Sequence, residues 1–418
     1  MLFPQIRGSA PLRVGSASIY PHHILGVAVL LVFLLALNFV HAPPSFSDLR
    51  STVVSAEEPP DAGGTLPRYW SVTGKNFEGA AEGYRKPRGL KIVGLVFYGR
   101  PASVSILDCY LKRNLAENGG FLDEVIFLAR TNNKEDLAWL DGLLATTKAY
   151  RKQPVVPLGR DYSNAYDLCE DDVMYIKIDD DVVFIEDSAI PSIVQTRLEH
   201  PEYYVVSANI INQPSLSWVH LHLGTIRPYM PELHSPPGVN LSALDPTWRA
   251  SDLPHWTGPD NFTLTDTFAP PFAGHRWLPC SEGTTIDGMP ASSTTYDAFS
   301  PTLFHWTIAA QLHYSFFEHL ENNELWRYKF QMWDYKYRRM GIQFIAIMGR
   351  DINAGKPLHW DDEFYFSEEM PKRLKRHAIV DGRAVVSHFS FGPQRDGIAM
   401  SDALDRYRAY ANENICPQ

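Results

Sequence analysis

The chain has 418 residues, of which 45% are hydrophobic and 21% charged, and these ordinary globular values exclude collagen-like, coiled-coil and wholly disordered proteins. Lys and Arg number 38 against 48 Asp and Glu, a formal charge of -10, so the chain lacks the basic surface of a nucleic-acid-binding protein. The length suits one large α/β domain or two average domains, with a core that needs no dense disulfide network.

The first recognisable element is an apolar segment at residues 24–40, ILGVAVLLVFLLALNFV, which contains no charged residue. Its 17 residues reach the lower limit of the about 17–25 that span a bilayer, so we predict a transmembrane signal anchor. Arg7 and Arg13 precede it and no acid occurs before Asp48, so the positive-inside rule places residues 1–23 in the cytosol. The rest of the chain would then face the lumen of the Golgi or ER. A cleavable signal peptide is the alternative.

Residues 41–88 are rich in Pro, Ser, Gly and Ala and are predicted to form a flexible stem. Two N-glycosylation sequons, at Asn240 and Asn261, suit a luminal protein. An even number of cysteines could pair in an oxidising lumen, and the sequence leaves the three possible connectivities open. The cysteines are Cys109, Cys169, Cys280 and Cys416.

Between residues 89 and 211, apolar runs alternate with amphipathic segments, which predicts βαβ units and a mostly parallel sheet. The predicted strands are 91–99, 123–130, 153–158, 172–178 and 203–211. The predicted helices are 103–120, 133–147 and 189–202. Ligands bind beyond the carboxyl ends of the strands in such sheets, so we expect a site at that edge.

Residues 212–300 are dense in Pro, Ser, Thr, Gly and Trp and are predicted to form an irregular insertion, long enough to be functional. Beyond it, helical spacing of apolar residues predicts helices over 302–320 and 324–340. The aromatic residues of the second helix would form either a core face or a sugar-stacking wall. The remaining predictions are a strand at 341–350, an acidic turn and helix at 359–376, a strand and turn at 383–395, and a helix at 401–414.

Three adjacent carboxylates, Asp179, Asp180 and Asp181, follow the predicted strand 172–178 and precede a second apolar run at 182–185. They repel one another, and folding alone gives no reason to gather them there, whereas a divalent cation does. Oxygen ligands suit Mg²⁺ or Mn²⁺, and such ions often also hold substrate phosphates. In an extended strand Asp179 and Asp181 point to one side and Asp180 to the other. We therefore predict a metal-diphosphate site, with a solvated turn or helix cap as the alternative.

The anchor, the stem, the alternating β/α region and the IDDDVVFI strand end together resemble GT-A type glycosyltransferases of the secretory pathway, which use nucleotide-sugar donors. KIDDDVVF (177–184) is similar to the metal motif of the β-1,3-galactosyltransferase-like families, and the overall texture resembles fungal type II transferases. A downstream Glu-Asp-Val and a Gln-x-x-Arg-Trp are not evident, so no subfamily is assigned. The resemblance covers about residues 89–395 and implies a Rossmann-like GT-A domain. Residues 89–211 would be its nucleotide-sugar-binding half and 212–418 its acceptor side.

The resemblance implies a donor site at the strand ends. Asp179 and Asp181 would hold the metal with His388, whose nitrogen favours Mn²⁺ over Mg²⁺. A buried core histidine is the alternative for His388. The first strand end would contact the nucleotide, with Asp180 and Arg395 as further donor-site residues and Lys372 as another possible cation. The strand-end residues are Tyr98, Gly99 and Arg100.

The resemblance also implies a catalytic carboxylate at the start of a helix near the acceptor. Asp361, Asp362 and Glu363 match that position, with Asp362 preferred as the general base that activates the acceptor hydroxyl. The structural alternative is that these acids only interact with the helix dipole in the first turn of the helix. The candidate surfaces for stacking on the acceptor are Trp218, Trp256, Trp277 and Trp360.

The resulting hypothesis is a metal-dependent, inverting glycosyltransferase anchored in the Golgi or ER membrane. It would move a sugar from a nucleotide-sugar donor to a glycan, glycolipid or glycoprotein acceptor, and it would have no nucleic-acid partner. The alternatives are a non-catalytic glycan-binding scaffold on a transferase-like fold and a metal-dependent phosphodiesterase. A phosphodiesterase would need a richer set of His and Asp residues than the sequence offers.

Overall fold

The computed structural model describes residues 12–14, 17–19, 84–236, 247–259 and 261–416. The chain divides into two compact units, Met1–Ala62 and Gly63–Gln418. In the first unit, strands β1 (Leu12–Val14) and β2 (Ala17–Ile19) pair antiparallel.

Two sequence predictions lie outside the described residues, namely the anchor at 24–40 and the sequon at Asn240. Most of the predicted stem lies outside them as well. Within the described residues, no helix combines the length and the apolar character needed to cross a membrane. The anchor therefore stays a prediction.

Helices and strands alternate through the second unit. Its helices are α1 (Pro101–Arg113), α2 (Lys134–Leu144), α3 (Ala189–Glu199), α4 (Pro214–His222), α5 (Pro301–Phe304), α6 (Trp306–Glu321), α7 (Gly349–Asn353), α8 (Asp362–Phe364), α9 (Met370–Leu374), α10 (Arg395–Ile398) and α11 (Ala403–Asn414). Its strands are β3 (Lys91–Tyr98), β4 (Glu124–Ala129), β5 (Tyr150–Pro154), β6 (Val173–Asp179), β7 (Val182–Ile185), β8 (Val205–Ile211), β9 (Tyr229–Pro231), β10 (Trp277–Pro279), β11 (Met332–Asp334), β12 (Phe344–Met348) and β13 (Ala378–His388).

Nine strands form one central sheet in the order β11-β13-β8-β12-β6-β3-β4-β5, with β7 pairing with β13. The β3–β4, β3–β6, β4–β5 and β8–β13 pairs are parallel. β12 runs antiparallel to both β6 and β8, and β13 runs antiparallel to β7 and β11. The prediction of a mostly parallel sheet is therefore wrong, because the sheet is mixed. The long connection between β8 and β12 is not a short βαβ crossover, so it does not force the returning strand to be parallel.

The strands form where the sequence has short, fully apolar runs. In β3 the side chains of Ile92, Val93, Leu95 and Val96 are all buried. Each contributes about 1.5–3 kcal/mol relative to an exposed position. A strand with both faces buried is typical of a sheet covered by helices on both sides. This burial holds the carboxyl end of β3 in place beside β4 and β6.

The predicted helix at 324–340 is wrong. Residues 325–328 form a single 3-10 turn, and β11 follows, pairing antiparallel with β13. Lys336 and Tyr337 then adopt φ values of 51° and 61° in the left-handed region, which no α-helix can include. The aromatic spacing resembled a helix, but the hydrogen bonds offered by β13 outweigh local helix propensity.

Two further predictions need correction in detail. The helix predicted at 302–320 is interrupted at His305, so it becomes α5 and α6. The insertion at 212–300, predicted as irregular, contains the two-turn helix α4 and the β9–β10 pair. β8 and β13 pair across the predicted boundary at residue 211, so the two predicted halves share one sheet.

Candidate active site

The candidate site is a cavity of about 430 Å³ at the carboxyl ends of β3, β4 and β6. Parallel strands end at one edge of the sheet, which is where ligands bind in α/β proteins. The sequence-predicted residues that line this cavity are Tyr98, Gly99, Arg100, Asp179, Asp180, Asp362, Glu363 and Arg395. The fold therefore brings together residues up to about three hundred positions apart in the chain.

Asp179, Asp181 and His388 form a group that can hold a metal ion. Each offers one ligand atom, and these atoms all lie within 4.8 Å of one another. Asp179 ends β6, Asp181 lies in the tight connection to β7, and His388 ends β13. The register of β13 against β7 shifts between Ser387 and His388. Such irregularities re-aim side chains, and here the imidazole comes to lie beside Asp181.

The donor set fits a divalent cation. The Asp181 and His388 side chains are 1% and 4% exposed, and the Asp181 Oδ1 to His388 Nε2 distance is 3.1 Å. Despite that approach, Asp181 Oδ1 has no partner with acceptable hydrogen-bond geometry, and neither does His388 Nδ1. Buried polar atoms without partners are costly and rare in folded proteins. Asp181 Oδ1 and the His388 nitrogen that approaches it, Nε2, are ligand types that suit a shared divalent cation.

Arg100 is the main counter-charge of the acid triplet. Its guanidinium donates from Nε to Asp180 Oδ1 at 2.8 Å and from Nη1 to Asp181 Oδ2 at 2.6 Å. Burial, opposed by Arg100 and reinforced by Asp181, raises the pKa of Asp180 to about 6. Burial also acts to raise the pKa of Asp181, but His388 and Arg100 outweigh it and hold that pKa below its ordinary value. Asp181 is therefore ionised throughout the physiological range.

Gly99 allows the close approach of the first strand end to the acid triplet. A Cβ at this position would lie 3.3 Å from Asp180 Oδ2, tighter than nine in ten real Cβ contacts. Glycine thus lets the backbone pass beside the carboxylate, as its place at the strand end suggests.

Lys177 is a site residue that the sequence analysis missed. It is 4% exposed, forms an ion pair with Asp179, and its Nζ lies 4.7 Å from the centre of the Phe97 ring. Lys177 and Arg100 together supply two positive charges, and the Asp179–Asp181 triplet supplies three negative charges. One negative charge is therefore left over. This excess favours binding of a cation. A single lysine in an otherwise apolar strand was the signal in the sequence.

The three acids after Trp360 have different environments. Asp361 caps α8 by accepting from Phe364 N, and it accepts two hydrogen bonds from Arg339, at 2.8 and 3.0 Å. Asp361 is not among the residues that line the cavity. Burial acts to raise its pKa, but the Arg339 hydrogen bonds and the cap outweigh it, so the pKa is lowered. Asp361 thus has the structural role that a helix-start acid often has.

Asp362 and Glu363 line the cavity, and the pKa of each is raised instead of lowered. Asp362 Oδ2 accepts a hydrogen bond of 2.7 Å from the hydroxyl of Tyr166, which is 1% exposed. Burial raises the pKa of Asp362, only partly opposed by Lys177 and Tyr166. Burial likewise raises the pKa of Glu363, opposed by its 2.8 Å hydrogen bond from Arg339. A carboxylate with a raised pKa that opens on a cavity has the properties of a general base.

Another part of the cavity wall is aromatic and cationic. The Arg130 guanidinium carbon lies 3.7 Å from the centre of the Tyr162 ring, and Phe97 packs 6.1 Å from Tyr162 between ring centres. Arg130 and Thr131 follow β4 at the same sheet edge as Gly99 and Arg100. The rule that ligands bind at strand ends, which selected Gly99, could therefore also have selected Arg130 and Thr131. Tyr162 lies in a loop, where the sequence gives no comparable indication.

Three other predicted residues do not have a clear contact with a ligand in the cavity. Tyr98 is 2% exposed and stacks on Trp139, so its ring is core. Lys372 pairs with Glu368 instead of facing the cavity. Arg395 is exposed at the mouth and forms no ion pair within the described part of the chain.

Of the four candidate tryptophans, Trp277 is wholly buried. Trp218 packs on Trp333, and Trp256 packs on Phe262. Trp360 is 52% exposed, and its carbonyl accepts from the backbone N–H of Tyr162. Of these four, Trp360 alone keeps a largely exposed ring for stacking.

Cys109 and Cys416 form a disulfide between α1 and the end of α11, and Cys169 and Cys280 are free. The structure thus selects one of the pairings that the sequence left open. Cys109 is also buried, so it contributes to the core as well.

No family model matches the chain, and no curated protein matches its sequence. Solved structures match in part. One is glucosyl-3-phosphoglycerate synthase from Mycobacterium tuberculosis with Mn²⁺, UDP and glucosyl-3-phosphoglycerate, at TM-score 0.25 and 13% identity, over 36% of this chain and 53% of that chain. Another is GalNAc-T7 with UDP, GalNAc and Mn²⁺, at TM-score 0.38 and 9% identity, over 78% and 48%. A third is 4-diphosphocytidyl-2C-methyl-D-erythritol synthase, at TM-score 0.22 and 10% identity, over 37% and 69%.

The matches cover about half the length of the first two solved structures. All three TM-scores are below 0.5, so the similarity supplies no argument about the activity of this chain. The functional assignment rests on the geometry of the cavity.

Proposed function

We propose that the chain is a metal-dependent glycosyltransferase that moves a sugar from a nucleotide-sugar donor to the hydroxyl of a glycan, glycolipid or glycoprotein acceptor. One observation carries the proposal: Asp179, a member of the Asp179–Asp181–His388 group, lines the same cavity as the raised-pKa acids Asp362 and Glu363. A cation that stabilises the leaving diphosphate and a base that activates the acceptor hydroxyl together serve inverting sugar transfer.

The metal, held by Asp179, Asp181 and His388, would supply positive charge to the leaving diphosphate. Arg100, Lys177 and Arg395 add fixed cations around the same cavity, which stabilise the negative charge that develops as the sugar–phosphate bond breaks. Ion pairs hold Arg100 and Lys177 in place, so these two side chains need little reorganisation as the negative charge develops. Arg395 is exposed and is not held in this way.

Asp362 would accept the proton of the acceptor hydroxyl. Tyr166 holds one oxygen of this carboxylate, which fixes its orientation. Burial raises the pKa of Asp362 and so strengthens it as a base. Direct attack on the donor sugar by the activated hydroxyl inverts the anomeric configuration, so we propose an inverting enzyme.

The donor site is tested by thermal unfolding of the full chain with UDP, GDP or CMP, each with and without Mn²⁺. A ligand that binds only the folded state at about 100 times its Kd stabilises it by about 2.7 kcal/mol. We expect one nucleotide to raise the melting temperature, only when Mn²⁺ is present. No shift with any nucleotide would exclude the donor site, and a shift that does not need Mn²⁺ would exclude the metal's role in it.

We also propose that the protein is a single-pass type II membrane protein whose folded domain lies in the Golgi or ER lumen. The uncharged apolar segment at 24–40 and the arginines before it support this topology. The Cys109–Cys416 disulfide suits an oxidising compartment. Asn261, the acceptor of one sequon, is exposed.

Expression in a eukaryotic cell tests this topology. We expect the full chain to sediment with membranes and to increase in mobility on an electrophoretic gel after treatment with an N-glycosidase. Asn261→Gln should remove one glycan. The matched control, Asn164→Gln, changes an asparagine outside any sequon and should leave the mobility unchanged. A chain that carries no glycan and is cleaved by protease in intact microsomes would contradict the luminal placement.

A further inference from the structure

A second cavity, of about 190 Å³, lies next to the candidate active site. Arg339 lines the second cavity, and its guanidinium bonds Glu363, which lines the first. One ion pair therefore connects the two walls. We propose that this second cavity binds one neutral sugar ring of the acceptor. The name acceptor rests on the proposed function, whereas the binding of a sugar rests on the cavity itself.

The cavity offers polar groups that the protein does not use fully. Arg338 is exposed and forms no ion pair within the described residues. The Tyr335 hydroxyl is buried beside Gln213 and Ser215, below the surface of the cavity, so a ligand there does not reach it. The polar groups that a ligand can reach are the exposed Arg338 guanidinium and the exposed Asp297 carboxylate. Sugar hydroxyls both donate and accept, so they suit such a mixed set.

The charges of the cavity do not attract an anion, which favours a neutral ligand. Arg339 is paired with two carboxylates, those of Asp361 and Glu363, and Glu368 is paired with Lys372 at 2.8 Å. The remaining charges are the Arg338 guanidinium and the Asp297 carboxylate, one of each sign. An anionic sugar would meet Asp297 as well as Arg338, and so would gain little.

The apolar part of the wall is aromatic. Phe299 is 61% exposed, and the carbon of the Arg339 guanidinium lies 5.5 Å from its ring centre. A large aromatic ring that faces a cavity is an unfilled contact surface. The C–H face of a pyranose can cover it while the hydroxyls reach the polar groups. The volume is below the about 300–1,000 Å³ of sites for drug-sized ligands, so it suits a single ring.

Binding to an array of neutral and acidic oligosaccharides, with the full-length protein, tests this inference directly. Titration with the methyl glycoside of the best-bound terminal sugar then compares variants. We expect Phe299→Ala and Arg338→Ala each to weaken this binding by about tenfold or more. Phe304→Ala and Arg327→Ala change an exposed residue of the same type elsewhere, and they should have no effect. Tyr335→Phe removes only a hydroxyl that lies below the cavity surface, so it should leave the binding unchanged.

Two results would overturn the inference. In the first, no neutral glycan binds, or only acidic glycans bind. In the second, the Phe299→Ala and Arg338→Ala variants bind as tightly as the wild type. Failure of the proposed function has a different signature: the wild type would show no Mn²⁺-dependent nucleotide shift while glycan binding and its dependence on Phe299 persisted. All variants should keep the nucleotide shift of the wild type, because none of them lines the first cavity.

Discussion

Asp181→Asn should lower Mn²⁺ affinity, and with it nucleotide binding and sugar transfer, by at least about 100-fold. The Asp181 carboxylate is 1% exposed, and one of its oxygens faces His388 without a formed hydrogen bond. His388 and Arg100 outweigh burial to lower its pKa, so the substitution removes a full negative charge. Asparagine keeps the shape of the side chain, and Arg100 keeps its bonds to Asp180.

Titration of free Mn²⁺ by electron paramagnetic resonance measures this loss without any assay of activity. Asp172→Asn is the matched control, because Asp172 is 95% exposed and lies just before the other end of β6. The control should bind Mn²⁺ as the wild type does. Equal Mn²⁺ affinity of the two variants would show that Asp181 is not a metal ligand.

Asp362→Asn should lower kcat by about 10²–10⁴, the usual contribution of a general base, with metal and nucleotide binding retained. Asparagine still offers an oxygen to the Tyr166 hydroxyl, so the local packing should persist. The side chain can no longer accept the proton of the acceptor. Steady-state transfer assays and the nucleotide thermal shift, measured on the same preparation, separate the two effects.

The neighbouring Asp361→Asn is the control for this experiment. Asparagine still caps α8 but loses the ion pair with Arg339, so Asp361→Asn should cost about 1 kcal/mol of stability and change kcat less than Asp362→Asn does. Equal losses of kcat in both variants would mean that the segment acts through its structure. A change below tenfold for Asp362→Asn would remove the base assignment and favour a retaining mechanism.

The pH dependence follows from the same group. A general base must be ionised, so the rate should fall as pH decreases through the pKa of Asp362. Burial raises that pKa above its ordinary value of 3.8. The acidic limb of the wild-type kcat profile should therefore lie above the range of an exposed aspartate, and this limb should be absent from the residual activity of Asp362→Asn.

Most of the elements that place the donor site could be predicted from the sequence. Apolar runs with the periods of strands and helices predicted β3, β4, β6 and β8 within a few residues, together with the second half of β13, because burial on both faces of a strand leaves a local pattern. The acid triplet stood out because carboxylates at a strand end conflict with simple packing. The position of His388 after an apolar strand was also visible in the sequence.

Which of these elements meet in the fold is not encoded locally. The register shift of β13 against β7 brings His388 to Asp181, and no local pattern encodes a pairing between strands two hundred residues apart. The same applies to the antiparallel direction of β12. The helix expected at 324–340 failed because hydrogen bonds from β13 outweigh local propensity there. Arg339 lies between the two cavities only because folding places Asp361 and Glu363 beside its guanidinium, and its own sequence neighbours give no sign of this position.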